Sequence, residues 1–205
     1  MGEKVIRKIV ITGGPCAGKS TAAEYIRQYF ENEGYCVLVM AETATELIKS
    51  GIAPWTLESR CDYQRCQLEM QTAKELVFSI SAEKIKGCDK ILIVCDRGIM
   101  DSKAYMGEEA FNNAITELNM TETDVLNRYD AVFHLKSAAN GAKEFYTLEN
   151  NSARIETPEE AAKLDLKFTE VWKKHPYFQI VECEKNIEEK MNSLIEKICK
   201  FLNNV

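Results

Sequence analysis

The chain has only two tryptophans, two histidines and four prolines in 205 residues, and no long apolar run. Its hydrophobic stretches are short, such as Ile91-Leu92-Ile93-Val94-Cys95, whereas a membrane-spanning helix needs about 20 apolar residues. No C-x-x-C pair occurs among the eight cysteines, and neither His134 nor His175 lies near a cysteine pair, so a zinc site lacks its usual ligand spacing. Cys16 apart, scattered cysteines of this kind are expected to be buried free thiols in a reducing compartment. Basic residues are outnumbered, 26 against 32 acidic, giving a formal net charge of −6. That balance argues against a general nucleic-acid-binding surface, although a local basic pocket stays open. The opening Met1-Gly2-Glu3-Lys4-Val5-Ile6 does not read as a signal peptide, and Ile6 stands where a myristoylation pattern wants Ser or Thr. The expectation is a cytoplasmic globular protein without a membrane span.

With 45% hydrophobic and 28% charged residues, the composition is that of an ordinary folded domain. No repeat, low-complexity tract or linker divides it, so residues 1–205 are read as one domain. Lys4 to Thr12 carries a β-branched run that ends in glycines, and Lys19 to Glu33 reads as a helix closed by Gly34. Tyr35 to Met40 is expected as a strand covered on both faces. Ala73, Leu76, Val77 and Ile80 keep the i, i+3, i+4, i+7 spacing of an amphipathic helix that Gly87 ends. Lys90 to Cys95 and Ala131 to Leu135 are further buried strands. Thr157-Pro158-Glu159-Glu160 is a capping-box sequence with proline at the first helical position, opening a helix towards Lys174. A fifth strand follows over Phe178 to Cys183, and Met191, Leu194, Ile195, Ile198, Cys199 and Leu202 mark one stripe of a closing helix. This alternation predicts an α/β fold: a five-stranded, mostly parallel sheet with helices on both faces. The segment 136–156 has no strong period and is read as a lid.

Gly13-Gly14-Pro15-Cys16-Ala17-Gly18-Lys19-Ser20 satisfies G-x-x-x-x-G-K-[ST] at every fixed position, between the first strand and the first helix. Phosphate binding explains each residue type. The glycines let backbone N–H groups turn inward around phosphate oxygens, and the following helix points its positive end at them. Lys19 is expected at the β/γ-phosphates and the Ser20 hydroxyl on magnesium. Inward N–H groups and the helix dipole would also favour the thiolate of Cys16. A nucleoside triphosphate, held by Gly13 through Ser20 and the adjoining Thr21, is the ligand this pattern predicts.

The third strand ends in Asp96, the pattern that brings a carboxylate to the magnesium beside a P-loop. In a parallel sheet ligands gather at the carboxyl ends of the strands, so Asp96 and Arg97 should face the loop. Glu42 follows the second strand at the same edge. It can take a proton from an acceptor hydroxyl, or simply serve as an acid at the start of a helix over Thr43 to Lys49.

GGPCAGKST, VCDRGIMDSKAYM and the pattern NNSARIETPEEAAKLD with WKKHP together resemble the NadR-like AAA ATPase family. That family includes the ATP-binding domain of ribosylnicotinamide kinases and a eukaryotic trafficking protein that binds GTP and phosphoinositides. The resemblance spans nearly the whole chain. It implies a kinase-like P-loop NTPase fold, similar to nucleoside and thymidylate kinases, with magnesium-NTP as the bound nucleotide. By the same resemblance Asp96 and Arg97 fall on the pair that serves magnesium and the phosphoryl acceptor, and Glu42 falls on the base of nucleoside kinases. The fifth strand departs from the pattern, ending Val181-Glu182-Cys183-Glu184 where Asp-Asn is often found. No N-K-x-D guanine signature occurs, which leans towards ATP while leaving GTP open.

Other residues carry two readings. Gln64, Gln67 and Gln71 share one helical face, either solvated or turned towards an acceptor base. Trp55 and Trp172 are expected as packing residues, and His175 as a helix C-terminal cation or cap. Arg154 lies before the Thr157 helix start, where a lid guanidinium folds over the γ-phosphate or, in the other reading, pairs at the surface with Glu156 or Glu159. The reading that follows is a magnesium- and ATP-dependent kinase acting on a nucleoside-like hydroxyl of a small-molecule acceptor. A nucleotide-dependent switch with a protein or phosphoinositide partner, and a plain NTPase, are the alternatives.

Overall fold

The computed structural model describes residues 4–137, 158–184 and 186–204. The β-branched run forms β1 (Val5–Thr12), and the glycine-rich turn after it opens α1 (Lys19–Asn32). Gly34 adopts φ 81° and donates its N–H to Glu31 O, ending that helix and turning the chain into β2 (Cys36–Met40). Then come α2 (Thr43–Lys49), α3 (Arg60–Lys84) and β3 (Lys90–Asp96). Three short helices, α4 (Met100–Met106), α5 (Glu108–Glu117) and α6 (Glu122–Leu126), lead to β4 (Ala131–Leu135). The chain closes with α7 (Pro158–Trp172), β5 (Phe178–Val181) and α8 (Ile187–Leu202).

Every strand pairing is parallel, in the order β2-β3-β1-β4-β5. Successive strand residues point to opposite faces, and each face has its own core. Ile9, Ile11, Leu92, Val94, Phe133 and Leu135 pack with Ile26 of α1 and Met191, Leu194 and Ile198 of α8. Val10, Ile91, Ile93, Cys95 and Val132 pack with Leu68, Met100, Phe111, Val125 and Trp172 on the other side. The chain reaches β3 on one side of β1 and β4 on the other. The carboxyl end of β1 therefore lies at a topological switch point, where open α/β sheets bind ligands.

The sequence expectations need correction at several places. The apolar period on α3 locates the helix but not its inward face. Leu76 and Val77 are 58% and 59% exposed, while Gln64, Gln67, Gln71 and Glu75 are buried. Periodicity assumes that apolar side chains go inside, and here a buried polar row, hydrogen-bonded at Gln71 and Glu75, takes that place. β2 is an edge strand that is nevertheless covered on both faces, Val37 and Val39 packing on the α1 side and Cys36, Leu38 and Met40 on the α3 side, with Cys36, Leu38 and Val39 partly buried. The three helices between β3 and β4 are too short to print a long apolar stripe. β5 stops at Val181, short of Cys183.

The cysteines form no disulfide among the described residues, but Cys95 alone is fully buried, and Cys61 and Cys66 are exposed. Trp172 packs in the core as expected, whereas Trp55 is 58% exposed. His175 is a buried bridge. Its Nδ1 accepts the Tyr177 N–H at 3.1 Å, which places the ring proton on Nε2, 2.9 Å from Tyr129 O. These ring bonds tie the turn after α7 to the segment before β4, and only the His175 backbone N–H reaches α7, at Trp172 O. Among the described residues no helix is long and apolar enough to cross a membrane.

Candidate functional site

The glycine-rich turn needs its glycines for steric reasons. Gly13 has φ 141°, and a Cβ there would stand 2.2 Å from the Leu135 carbonyl oxygen of β4. Gly18 sits left-handed at the N-cap of α1, with φ 84°, and Cys16 is left-handed at φ 58°. Such conformations turn successive N–H groups to one side and make an anion-binding concavity. Lys19 is buried and folds back across the loop, with Nζ donating to Gly13 O and Gly14 O at 3.0 Å each. Burial, and then the nearby Arg97 charge, bring its pKa down to about 8, against the opposing pull of Asp96, Glu42 and Asp101. A lysine in this state gains most from an arriving phosphate. Ser20, next in the chain, is exposed at the start of α1.

Asp96 ends β3 as expected and is only 6% exposed, and its Oδ1 has no hydrogen-bond partner among the described residues. Burial raises its pKa, with Lys19 pulling the other way. Arg97, next in the chain, holds φ 74°, a conformation costly for a residue with a side chain. Its N–H bonds Ile11 O at 3.0 Å. The guanidinium is held on several sides: Nε reaches Glu42 Oε1 at 2.6 Å, Nη1 reaches Gly13 O at 3.4 Å, and the Phe168 ring lies 5.0 Å away. Asp101, one helical turn on, approaches Nη1 at 3.6 Å.

Glu42 follows β2 and precedes α2, but its side chain makes no cap hydrogen bond to the α2 backbone. Oε1 takes Arg97 and Oε2 takes the Thr45 hydroxyl at 2.6 Å. Burial pushes its pKa up, but the Arg97 and Lys19 charges, with these hydrogen bonds, bring it down to about 2. Lys19, Glu42, Asp96 and Arg97 therefore meet at the carboxyl ends of β1, β2 and β3. Arg154 lies outside the described residues, as does the expected lid apart from Lys136 and Ser137.

The glutamine row of α3 is buried and not solvated, and Gln71 reaches the site. Gln71 accepts from the Thr43 hydroxyl at 2.5 Å and donates to Arg97 O at 3.2 Å and Glu75 Oε1 at 3.1 Å. Glu75, fully buried, also accepts from Tyr129 and Arg128. Gln64 Oε1 has no partner among the described residues.

Sequence reasoning missed three residues near the loop. Asp101 accepts Thr12 Oγ1 at 2.7 Å and Trp172 Nε1 at 2.6 Å. Asp165 accepts the Gly14 N–H at 2.7 Å. Lys190 of α8 donates to Ala17 O at 2.9 Å and Lys136 O at 2.6 Å, and burial lowers its pKa. Asp101 lies four residues after Arg97, but Arg97 has a left-handed backbone before α4, so no helical spacing signalled the pair. Asp165 and Lys190 carried no signal either, since each meets the loop from more than 150 positions away.

No curated protein matches the chain. In structure it is similar to a deoxyadenosine kinase from M. mycoides determined with bound dATP. The TM-score is 0.61 over 94% of this chain and 98% of that one, at 19% sequence identity, so the likeness is one of fold: a kinase-like P-loop architecture. Residues 8–190, which include the P-loop, Glu42, Asp96 and Arg97, match the model of one sequence family, and the chain belongs to that family, the AAA domain.

Proposed function

We propose that the protein is a magnesium-dependent kinase that passes the γ-phosphoryl group of ATP to a hydroxyl on a nucleoside-like small molecule. One observation carries the reading: the Glu42–Arg97 pair, 2.6 Å apart, stands beside Lys19 and Asp96 at the sheet edge where the P-loop opens. A plain NTPase needs the P-loop and a metal acid. It does not need a carboxylate and a guanidinium paired beside them, where an acceptor would sit.

The donor set fits magnesium. That ion prefers oxygen ligands and usually keeps several waters, taking one or two carboxylates plus substrate phosphates. Asp96, with an unpartnered buried oxygen, and the exposed Ser20 hydroxyl supply such ligands. Bound there, the ion would neutralise charge on the β- and γ-phosphates. Lys19 leaves the Gly13 and Gly14 carbonyls for phosphate oxygens, and the freed inward turn receives the rest. Arg97 holds the acceptor side. Glu42, with its low pKa, is a weak base, so its role is to orient the acceptor hydroxyl and receive the proton late. A loose phosphoryl-transfer transition state asks for little more. Arg154 is kept in the proposal as a charge arriving over the γ-phosphate. GTP stays an alternative donor.

The switch reading draws on the exposed apolar face of α3 at Leu76, Val77 and Ile80, which suits a partner surface. Thermal shift separates the readings. Magnesium-ATP and magnesium-GTP are each crossed with nucleosides, ribosylnicotinamide and phosphoinositide head groups, because ligands bound by the folded state raise its apparent stability. The kinase reading expects a nucleoside-like compound to add to the ATP shift. A phosphoinositide head group adding in its place would favour the switch.

A further inference from the structure

One face of α7 touches the site at three successive levels. Asp165, Phe168 and Trp172 are spaced three and four residues apart, so they share a helical face. Asp165, 2% exposed, places Oδ1 2.7 Å from the Gly14 N of the P-loop and Oδ2 3.4 Å from Ser137 N after β4. His134 Nε2 stands 3.2 Å from the same Oδ1 and 3.3 Å from the Thr169 hydroxyl, bracing the carboxylate from behind. Phe168 lies under the Arg97 guanidinium, and Trp172 donates to Asp101, the acid facing Arg97. The fit at Gly14 is tight: a Cβ there would meet Asp165 Oδ1 at 2.9 Å.

We propose that α7 sets the position of the phosphate-binding loop relative to Arg97, with Asp165 as the positioning residue that fixes the loop through the Gly14 N–H. The inference rests on the kinase reading above, since it concerns the same loop and the same arginine. Its physical basis is that hydrogen bonds are directional, so a buried acceptor anchored on a helix fixes the amide that donates to it. Asp165 has no contact with the phosphates in this account. It acts through Gly14, and the three contacts on one rigid helix make loop and arginine move together.

The test measures magnesium-ATP affinity by calorimetry, alongside the melting temperature, for wild type and for Asp165→Ala, Asp165→Asn and Asp165→Glu. The Asn side chain can still accept the Gly14 N–H, whereas Glu keeps the charge and displaces it by a methylene. Asp165→Ala should weaken binding by about tenfold or more at a temperature where it remains folded, because the loop loses its anchor. Asp165→Asn should stay within about threefold of wild type and Asp165→Glu should not. Should Asp165→Ala fail to fold, the Asn and Glu variants alone decide. A folded Asp165→Ala that binds like wild type overturns the assignment, and so does an Asn variant as weak as Glu, which would indicate a charge effect without positioning. Wild-type protein that binds no magnesium-nucleotide removes the kinase reading, and this inference with it.

Discussion

The Arg97 guanidinium meets the Glu42 carboxylate at 2.6 Å, joining the residue after β3 to the second residue after β2. The two strands are neighbours in parallel register, Met40 beside Cys95, so their carboxyl ends deliver both side chains to one place. Arg97 has a left-handed backbone there, a strain that the surrounding bonds hold in place.

Replacing Glu42 by Gln tests that pair in two ways. Its carboxyl is held near pKa 2 against an ordinary 4.5, so the folded state favours the anion. The stabilisation is present above the ordinary carboxyl range and is lost as pH falls towards 2, and it amounts to roughly 3 kcal/mol. Denaturant melts of wild type and Glu42→Gln should therefore differ at pH 7 and converge in acid. Nucleotide affinity should change little, while transfer to the acceptor slows by about a hundredfold. Equal transfer rates would remove Glu42 from the chemistry.

Lys19 gives a pH dependence of binding. In the free protein its pKa is about 8, and phosphate binding requires the ammonium. Above neutrality the nucleotide phosphates, with a second ionisation near about 6, are fully charged and add no slope. Affinity should be highest near about pH 7 and fall as pH rises through 8, with proton uptake seen as buffer-dependent heat in calorimetry. Lys19→Ala should bind weakly at every pH and lose the slope. A slope that survives in Lys19→Ala would belong to another group.

Asp96→Asn keeps the shape of the β3 terminus and removes the anion. Magnesium-dependent turnover should fall by roughly a hundredfold or more, while nucleotide binding in the presence of chelator changes little. Parallel losses with and without magnesium would mean that Asp96 supports the loop and not the ion.

Gly13→Ala should destabilise the fold itself. The new Cβ would press on a main-chain oxygen 2.2 Å away, and φ 141° is a region that side chains avoid. A loss of at least about 1–3 kcal/mol is expected, read as a lower denaturation midpoint. An unchanged midpoint would show that β4 yields to make room.

How much of this was legible in the sequence depends on how far each signal reaches. The P-loop announced itself because its residue types are fixed by local backbone geometry, and Asp96 because an apolar run ended in a carboxylate. The strands read clearly because β1, β3 and β4 are buried and apolar. On α3 the apolar period misled, since Gln71 and Glu75 satisfy one another and their neighbours inside while Leu76 and Val77 face out. Asp165 could not be seen from spacing: its contact with Gly14 joins positions 151 apart through the packing of α7 beside β4. Lys190 reached Ala17 in the same way, from the opposite face of the sheet.

The central claim is transfer of a phosphoryl group to an acceptor, and following the γ-phosphate of labelled ATP tests it most directly. Wild-type protein is given magnesium, labelled ATP and a mixture of nucleosides with ribosylnicotinamide, with Lys19→Ala as the control. The account predicts a labelled phosphoester that requires magnesium, the acceptor mixture and Lys19. Label appearing only as inorganic phosphate, at a rate the acceptors do not change, would contradict it.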